Sequence, residues 1–346
     1  MGVSAAPDSL DAIAERYRSF ALDQARGRSP LYEELALGVA GDAGVLTFLA
    51  GFERIKQQPN LFLAAVRHVC GTASGWPEFR GWVADHADEV RSVMLARRTQ
   101  TNEPARCATL VPLLSSLEQP LALVEVGAAA GLCLLPDHYG YGFGGRHLQP
   151  GVVTGPVAPV FECRVLGDVP VPDRSPQVIW RCGLDLNPID LDDPQQVEWL
   201  RTLVWPGEGD RLELLERSVE IARAARPEVH SGDLAADLEP VLAQAPAEAT
   251  LVVFHTAVLN YVDEAGRSAF AEAVRRSHAV WIANEAPGVQ PTALARLGGR
   301  SVRRDVFLLS VDEQPVAWTD PHGKSISWIG AKWVCRKRYQ APLRGA

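Results

Sequence analysis

The stretch that decides the fold of this chain is Leu121-Ala-Leu-Val-Glu-Val-Gly-Ala-Ala-Ala-Gly-Leu132. An apolar run ends in Glu125-x-Gly127, and a second glycine, Gly131, follows four residues later. This order predicts a buried β-strand, a tight turn and the start of a helix. Because glycine lacks a Cβ, the backbone can turn sharply there and a ligand can approach it closely. The stretch therefore predicts a nucleotide or cofactor pocket at the carboxyl end of the strand.

Short apolar runs separated by helical patterns continue after this stretch, which is typical of a mainly parallel sheet. The predicted strands are 122–126, 178–181, 229–230, 251–255, 280–284, 305–311 and 325–329. Asp320-Pro-His-Gly323 predicts a turn, so the last two strands should form an antiparallel pair. The expected fold class is α/β, with a Rossmann-like sheet that is parallel except for an antiparallel C-terminal hairpin.

The first third of the chain shows helical spacing of apolar residues. Ser9 and Ser29-Pro30 are typical helix starts, and further helices are predicted at 45–55, 61–70 and 79–97. We expect a helical region or lid at 1–118 and an α/β domain at 119–346. An insertion at 136–177 interrupts that domain with many Gly and Pro residues. It predicts either a hairpin that covers the sheet edge or a lid over the pocket.

Composition and charge narrow the class of partner. A net charge of -8 disfavours binding to nucleic acid through phosphates and favours small molecules or peptides as partners. Of these, we predict a small-molecule substrate. No apolar run approaches the roughly twenty residues that span a bilayer, and the first ten residues lack the layout of a signal peptide. We expect a cytoplasmic protein without membrane contact. The oligomeric state is not indicated.

The cysteines are scattered, without a CxxC pair or a histidine at ligand spacing. This pattern predicts reduced thiols and no metal site. Cys133 follows the glycines by two residues, so the predicted helix start there would lower the pKa of its thiol. The favoured alternative is a small buried apolar side chain.

Polar residues stand at the carboxyl ends of five predicted strands, where open α/β sheets bind ligands. They are Glu125, Asp185, Asp233, His255 and Glu285. Each also has a structural interpretation. Asp185 and Asn187 can form Asx-type turns before Pro188, and Asp233 can cap a helix. His255 can be a hydrogen-bonded core histidine, and Glu285 can begin a turn.

Five motifs of this chain resemble those of a known family: Leu123-Val-Glu-Val-Gly-Ala-Ala-Ala-Gly-Leu132, Arg181-Cys-Gly-Leu-Asp-Leu-Asn-Pro-Ile-Asp190, Val204-Trp-Pro-Gly207, Val253-Phe-His-Thr-Ala-Val-Leu-Asn-Tyr261 and Arg98-Thr-Gln-Thr-Asn-Glu103. The chain is similar to an uncharacterised bacterial family, a domain of unknown function with a core like that of class I S-adenosylmethionine (SAM) dependent methyltransferases. The resemblance implies that Glu125, Gly127 and Gly131 line the methionine part of SAM. It also implies that Asp185 holds the ribose and that Asp233 lies beside the adenine.

Two features depart from the usual methyltransferase pattern. Ala129 stands where the loop usually has its central glycine. Asp185 follows Gly131 by 185 − 131 = 54 residues, instead of about twenty. The assignment of Asp185 therefore depends on the insertion that separates the two.

The function expected from these residues is SAM-dependent methylation of a small metabolite. His255 is the candidate base, assisted by Tyr261 or Glu285, because histidine titrates near neutral pH. Candidate substrate contacts are Thr101, Asn102, Glu103, Tyr141, Arg146 and Asn187. Asn102 or Glu103 can instead cap the next helix, and Arg146 can lie in a solvated loop. Two alternative functions stay open: a cyclisation or elimination without methyl transfer, and a non-catalytic binding partner.

Overall fold

A computed structural model describes residues 9–100, 102–153, 155–299, 301–303 and 305–329. Within them the chain divides into two compact units. The first contains the described residues up to 100 together with Pro194–Glu213, and the second contains Asn102–Asp193 and the described residues from Leu214 onward. Residues 102 to 118 thus group with the second unit. The domain boundary at 118 stays a prediction.

Twelve α-helices occur in the described part of the chain. They are α1 Leu10–Ser19, α2 Pro30–Gly41, α3 Ala43–Ala50, α4 Pro59–Cys70, α5 Trp76–Asp85, α6 Ala87–Ala96, α7 Cys107–Leu114, α8 Pro194–Leu203, α9 Gly209–Ala225, α10 Leu238–Leu242, α11 Glu264–Arg276 and α12 Pro291–Ala295. A π-helical turn, Phe20–Ala25, extends α1. No helix among the described residues is both long enough and apolar enough to cross a membrane.

Two helix starts of the first unit confirm the predicted caps. The Ser9 hydroxyl accepts a hydrogen bond from the N–H of Ala12, and that of Ser29 accepts one from Tyr32, with Pro30 in the first turn. The single helix predicted at 79–97 is wrong. The chain leaves helical geometry at His86, whose N–H closes α5 and whose carbonyl opens α6. Apolar spacing continues across this break, so periodicity alone does not show it.

Most of the twelve described strands of the second unit belong to one large sheet. The strands are β1 Leu121–Val126, β2 Gly140–Phe143, β3 Arg146–Leu148, β4 Val160–Glu162, β5 Arg164–Leu166, β6 Val178–Asp185, β7 Glu228–Ser231, β8 Thr250–Thr256, β9 Val280–Glu285, β10 Phe307–Val311, β11 Gln314–Thr319 and β12 Ser325–Trp328. The large sheet has the order β5-β12-β11-β10-β9-β8-β1-β6-β7. Strands β7, β6, β1, β8 and β9 are parallel, and β10, β11 and β12 pair in antiparallel fashion. The predicted α/β class is confirmed.

The order in which strands are added to the sheet reverses at β1. The chain adds β6 and β7 on one side of β1, and then returns to add β8 and β9 on the other side. Open α/β sheets bind their ligands at the carboxyl ends of strands at such a switch point. The predicted glycine loop therefore occupies the ligand-binding position of this architecture.

The insertion forms strands rather than a crossover helix. Strands β2 and β3 make a hairpin, and β4 joins them in a separate sheet of order β3-β2-β4. Strand β5 then pairs with β12 at the edge of the large sheet. The hairpin interpretation is thus observed, and the edge of the large sheet is covered by β5 rather than by the hairpin.

Candidate functional site

The predicted site residues divide between two faces of the sheet. Glu125 pairs with Gly183 of β6 and Phe254 of β8, so these positions share a face. His255, the next residue along β8, lies on the opposite face because side chains alternate along a strand. Register places Thr256 and Asn284 on the face of Glu125. We name each face of the sheet after a helix that covers it. Glu125 lies on the α7 face, and His255 lies on the α11 face.

On the α11 face, His255 uses both ring nitrogens inside the protein. The indole N–H of Trp281 donates to Nε2 at 2.9 Å, so Nε2 is an acceptor and Nδ1 carries the proton. Nδ1–H then donates to Oε1 of Glu285 at 2.8 Å. The ring also contacts Phe270 of α11 edge-on, and His255 and Glu285 are both 0% exposed. These contacts match the core-histidine interpretation and do not favour His255 as a base, although its role stays a prediction.

Glu285 and Tyr261 have different environments near this histidine. The Glu285 carboxylate also accepts hydrogen bonds from the backbone N–H groups of Val258 at 2.9 Å and Leu259 at 3.3 Å. It therefore holds the turn after β8. Tyr261 lies at the end of a 3-10 turn, Leu259–Tyr261, with 51% of its surface exposed. Their catalytic assignments stay predictions.

On the α7 face, Glu125 is a buried carboxyl with an unused oxygen. It is 2% exposed, and Oε2 has no hydrogen-bond partner among the described residues. Burial raises the pKa of this carboxyl well above its ordinary value; Cys133 and Asp185 act in the same direction and Arg106 acts against them. Burial therefore favours the neutral form of this side chain, and Oε2 is an acceptor available to a ligand.

Arg106, which the sequence did not single out, is the cation of the same face. It is 7% exposed. Its Nε donates to the carbonyl of Pro321 at 2.8 Å, and Nη1 donates to the carbonyl and hydroxyl oxygens of Thr256, both at 3.3 Å. No hydrogen bond joins Nη2 to any described residue. The turn at Pro321 and the end of β8 thus fix the guanidinium and leave Nη2 without a partner among the described residues. The cation is close enough to Glu125 to lower the pKa of its carboxyl.

The residues just before Arg106 organise the loop that follows β1. Asn102 donates from Nδ2 to the carbonyl of Ala128 and accepts from the N–H of Leu132, both at 3.0 Å. Glu103 accepts from the N–H of Ala105, which confirms the capping interpretation. Asn102 is a loop clamp rather than a cap, and Thr101 lies outside the described residues. The substrate contacts assigned to all three stay predictions.

Internal packing accounts for both glycines of the loop. Gly127 has φ +74°, and a Cβ there would lie 2.4 Å from Cγ2 of Val258. Gly131 has φ +70°, and a Cβ there would lie 3.1 Å from Cγ2 of Val229. Ala129 also has a positive φ, 49°. The close approach at Gly127 is thus made by a valine side chain.

The helix predicted after Gly131 is wrong. Residues Leu132–Leu134 form only a 3-10 turn, and a second one follows at Pro136–His138. Pro136 lacks an N–H and disfavours helical geometry in the residue before it, so an α-helix cannot continue there. The loop therefore offers a ligand no helix N-terminus.

Asp185 makes the turn contact proposed as its alternative, whereas the cap proposed for Asp233 is wrong, because the N-cap of α10 is Asp237. The Asp185 carboxylate accepts from the N–H of Asn187 at 2.8 Å, as in an Asx turn, and from the N–H of Ala129 at 2.9 Å. Asp233 is exposed and accepts from the N–H groups of two residues that follow it. Asn187 is exposed. Ribose, adenine and substrate roles for these three residues stay predictions.

The two candidate substrate contacts in the insertion differ in how deeply they are buried. Tyr141 is fully buried, and its hydroxyl donates to the carbonyl of Pro136 at 2.6 Å. Arg146 is exposed and pairs with Asp173, which fits the solvated-loop interpretation. Neither geometry supports the predicted substrate contact.

Cys133 is a buried thiol. A hydrogen bond with the Cys107 thiol and burial raise its pKa well above the ordinary value. The interpretation of Cys133 as a thiol of lowered pKa is wrong, because the residue is fully buried and the helix expected there does not form. Among the described residues, no group of three or more His, Cys, Asp or Glu side chains is arranged to hold a metal ion.

These features define the class of the protein: an N-terminal helical region followed by a mostly parallel nine-stranded sheet, counted over the described residues, whose carboxyl edge carries a buried polar site. A family model matches residues 14–328, and the chain belongs to that family, which is described as "Uncharacterized protein conserved in bacteria (DUF2332)". No match was found among the curated proteins or among the solved structures.

Proposed function

We propose that this protein is a methyltransferase that binds SAM at the carboxyl edge of β1 and methylates a small metabolite. The observation that carries the proposal is the pair on the α7 face. Glu125 keeps an unpaired buried oxygen, and Arg106 keeps a donor without a partner among the described residues. A buried acceptor without a partner costs free energy, so Oε2 of Glu125 is a position where a ligand donor would complete the hydrogen bonding.

The pair fits the amino-acid end of SAM. Glu125 presents an acceptor for the ligand's ammonium group, and Arg106 presents a donor for its carboxylate. Asp185 ends β6, the strand beside β1, and Asp233 follows β7, the next strand outward. We assign the ribose to Asp185 and the adenine to Asp233. The sulfonium of SAM supplies an electrophilic methyl group. The protein binds and orients the ligand and excludes water from it.

The geometry also bears on the methyl acceptor. His255 lies on the opposite face, with Nε2 bonded to Trp281, so it is not available to take a proton from a substrate on the α7 face. An acceptor that already presents a lone pair, such as a neutral amine or a carboxylate, needs no such base. The proposed reaction therefore depends on positioning rather than on proton transfer to His255.

Calorimetric titration with SAM and with S-adenosylhomocysteine tests the proposal. We expect both to bind the wild type, and the Arg106→Met variant to bind at least tenfold more weakly, because it loses the donor for the carboxylate. Arg146→Met removes an exposed arginine as the matched control and should bind like the wild type. Absence of binding by both ligands at millimolar concentration would refute the proposal.

A second candidate is a ligand-binding protein of the same fold that transfers no methyl group. It is favoured by the occupied ring nitrogens of His255. A related alternative, cyclisation or elimination in a specialised pathway, uses the same pocket without methyl transfer. Unaltered biological activity of a His255 and Asp185 double variant would favour the binding role. Activity that persists after SAM is removed would favour the alternative reaction.

A further inference from the structure

Glu125 has no hydrogen-bond partner at Oε2 among the described residues. Its in-register neighbours are Gly183, which has no side chain, and Phe254, which has no polar atom. Two residues further along β8, on the same face, Thr256 already accepts from Arg106. The carboxyl oxygen Oε2 is thus left without a donor on either neighbouring strand.

The charged and titratable groups around Glu125 have other partners. On β6, Arg181 makes a two-pronged ion pair with Asp137 at 2.7 and 2.8 Å, and Asp185 accepts two backbone N–H groups. In the segment after β1, the Cys133 thiol donates to the Glu103 carbonyl, and the Tyr139 hydroxyl donates to the Leu132 carbonyl. Arg106, ahead of α7, is the remaining cation.

In the ligand-free site the burial of Glu125 favours the neutral acid, and the nearby Arg106 favours the carboxylate. A buried carboxyl keeps its proton when desolvation outweighs the attraction of nearby positive charge. Burial raises the pKa of Glu125, and the net direction is upward despite Arg106. A ligand ammonium that reaches Oε2 adds a second positive charge and a hydrogen-bond donor, and both favour the carboxylate form.

We infer that occupation of this site by an α-amino-acid moiety releases one proton from Glu125, so that ligand binding and deprotonation of this carboxyl are a single linked event. The inference rests on the proposed function for the identity of the ligand. The O–H bond of the acid breaks, its proton leaves to solvent, and the resulting carboxylate pairs with the ligand's ammonium. Arg106 meanwhile pairs with the ligand's carboxylate.

Linkage gives the size of the effect. One proton released for each ligand bound makes the association constant rise up to tenfold for each unit of pH, as long as the free protein holds the proton. A site with an ionised Glu125 would show no such dependence. The affinity for SAM is therefore expected to increase on the alkaline side of the ordinary glutamate range.

Calorimetry in two buffers of different ionisation enthalpy measures the number of protons released. We would titrate the full chain with SAM and with S-adenosylhomocysteine at pH 6.5, where an α-amino group is still protonated. Methylthioadenosine, which lacks the amino-acid moiety, is the matched control ligand. The inference expects close to one proton released with the first two ligands and none with the third.

The Glu125→Gln variant separates this carboxyl from the other groups. It keeps the shape of the side chain and has no proton to release, so we expect weaker binding of SAM without proton release. If that variant does not fold, infrared difference spectra of the wild type report the loss of a protonated carboxyl band on binding. SAM binding without proton release overturns the inference and leaves the proposed function standing. Absence of binding by both SAM and S-adenosylhomocysteine overturns both.

Discussion

Replacement of Glu125 by glutamine should stabilise the ligand-free protein, increasingly so as the pH rises. In the unfolded chain this carboxyl ionises near its ordinary value of 4.5, whereas burial raises its pKa in the folded protein. Between pH 4.5 and the folded pKa, the folded state therefore holds a proton that the unfolded state has lost. Stability is full below the unfolded pKa and falls as the pH rises toward the folded pKa. Glutamine has no such proton, so the variant escapes this loss.

The magnitude follows from the one proton involved. A difference of one bound proton changes the free energy of unfolding by about 1.4 kcal/mol per pH unit at 25 °C. The advantage of Glu125→Gln over the wild type should approach this slope between the ordinary value and the folded pKa, and become constant above it. Because Glu125 is only 2% exposed, solvent screens the effect little.

Urea unfolding across a pH series measures the difference, and hydrogen exchange in β1 assigns it to the second unit. Glu220→Gln, at an exposed position of α9, is the matched control and should differ from the wild type by a constant at every pH. A pH-independent difference for Glu125→Gln, or an advantage that shrinks as the pH rises, would refute the argument that this carboxyl is buried in its neutral form.

Two further substitutions test the packing of the two faces. Gly183→Ala should cost about 1–3 kcal/mol of stability, because the new Cβ would lie 2.6 Å from that of Ala128. Gly288→Ala is the control, because no atom lies within 4 Å of its new Cβ. Equal melting temperatures of the two variants would contradict the packing. Trp281→Phe should cost about 1–3 kcal/mol by leaving Nε2 of His255 without its donor, and unchanged urea unfolding would show that this bond is not made.

Continuous apolar runs made the central strands predictable. Strands β1, β8 and β9 are buried along almost their whole length, and such runs bounded by polar ends identify strands without further information. Strand β11 was missed because Pro315 weakens any strand prediction. In the structure, Pro315 pairs opposite Ser310 at an irregularity of the ladder, where its missing N–H is tolerated.

Local motifs were a weaker guide to the candidate site. The glycines predicted a loop at the correct place, but Gly127 and Gly131 make room for Val258 and Val229. The cation near Glu125 was missed because Arg106 is fixed by residues that are distant in the chain, Pro321 and Thr256. No spacing rule relates residues that only tertiary structure brings together.

The alternation of side chains along β8 explains why the proposed chemistry no longer uses His255 as a base. Phe254, His255 and Thr256 are consecutive, so a prediction accurate to one residue along β8 still leaves the face undecided. Register assigns Thr256 to the α7 face with Glu125 and assigns His255 to the α11 face. A base on one face cannot contact a substrate held on the other. If SAM binds here, the carboxyl that responds to it is Glu125, and the group whose replacement should abolish proton release is this acid rather than the histidine.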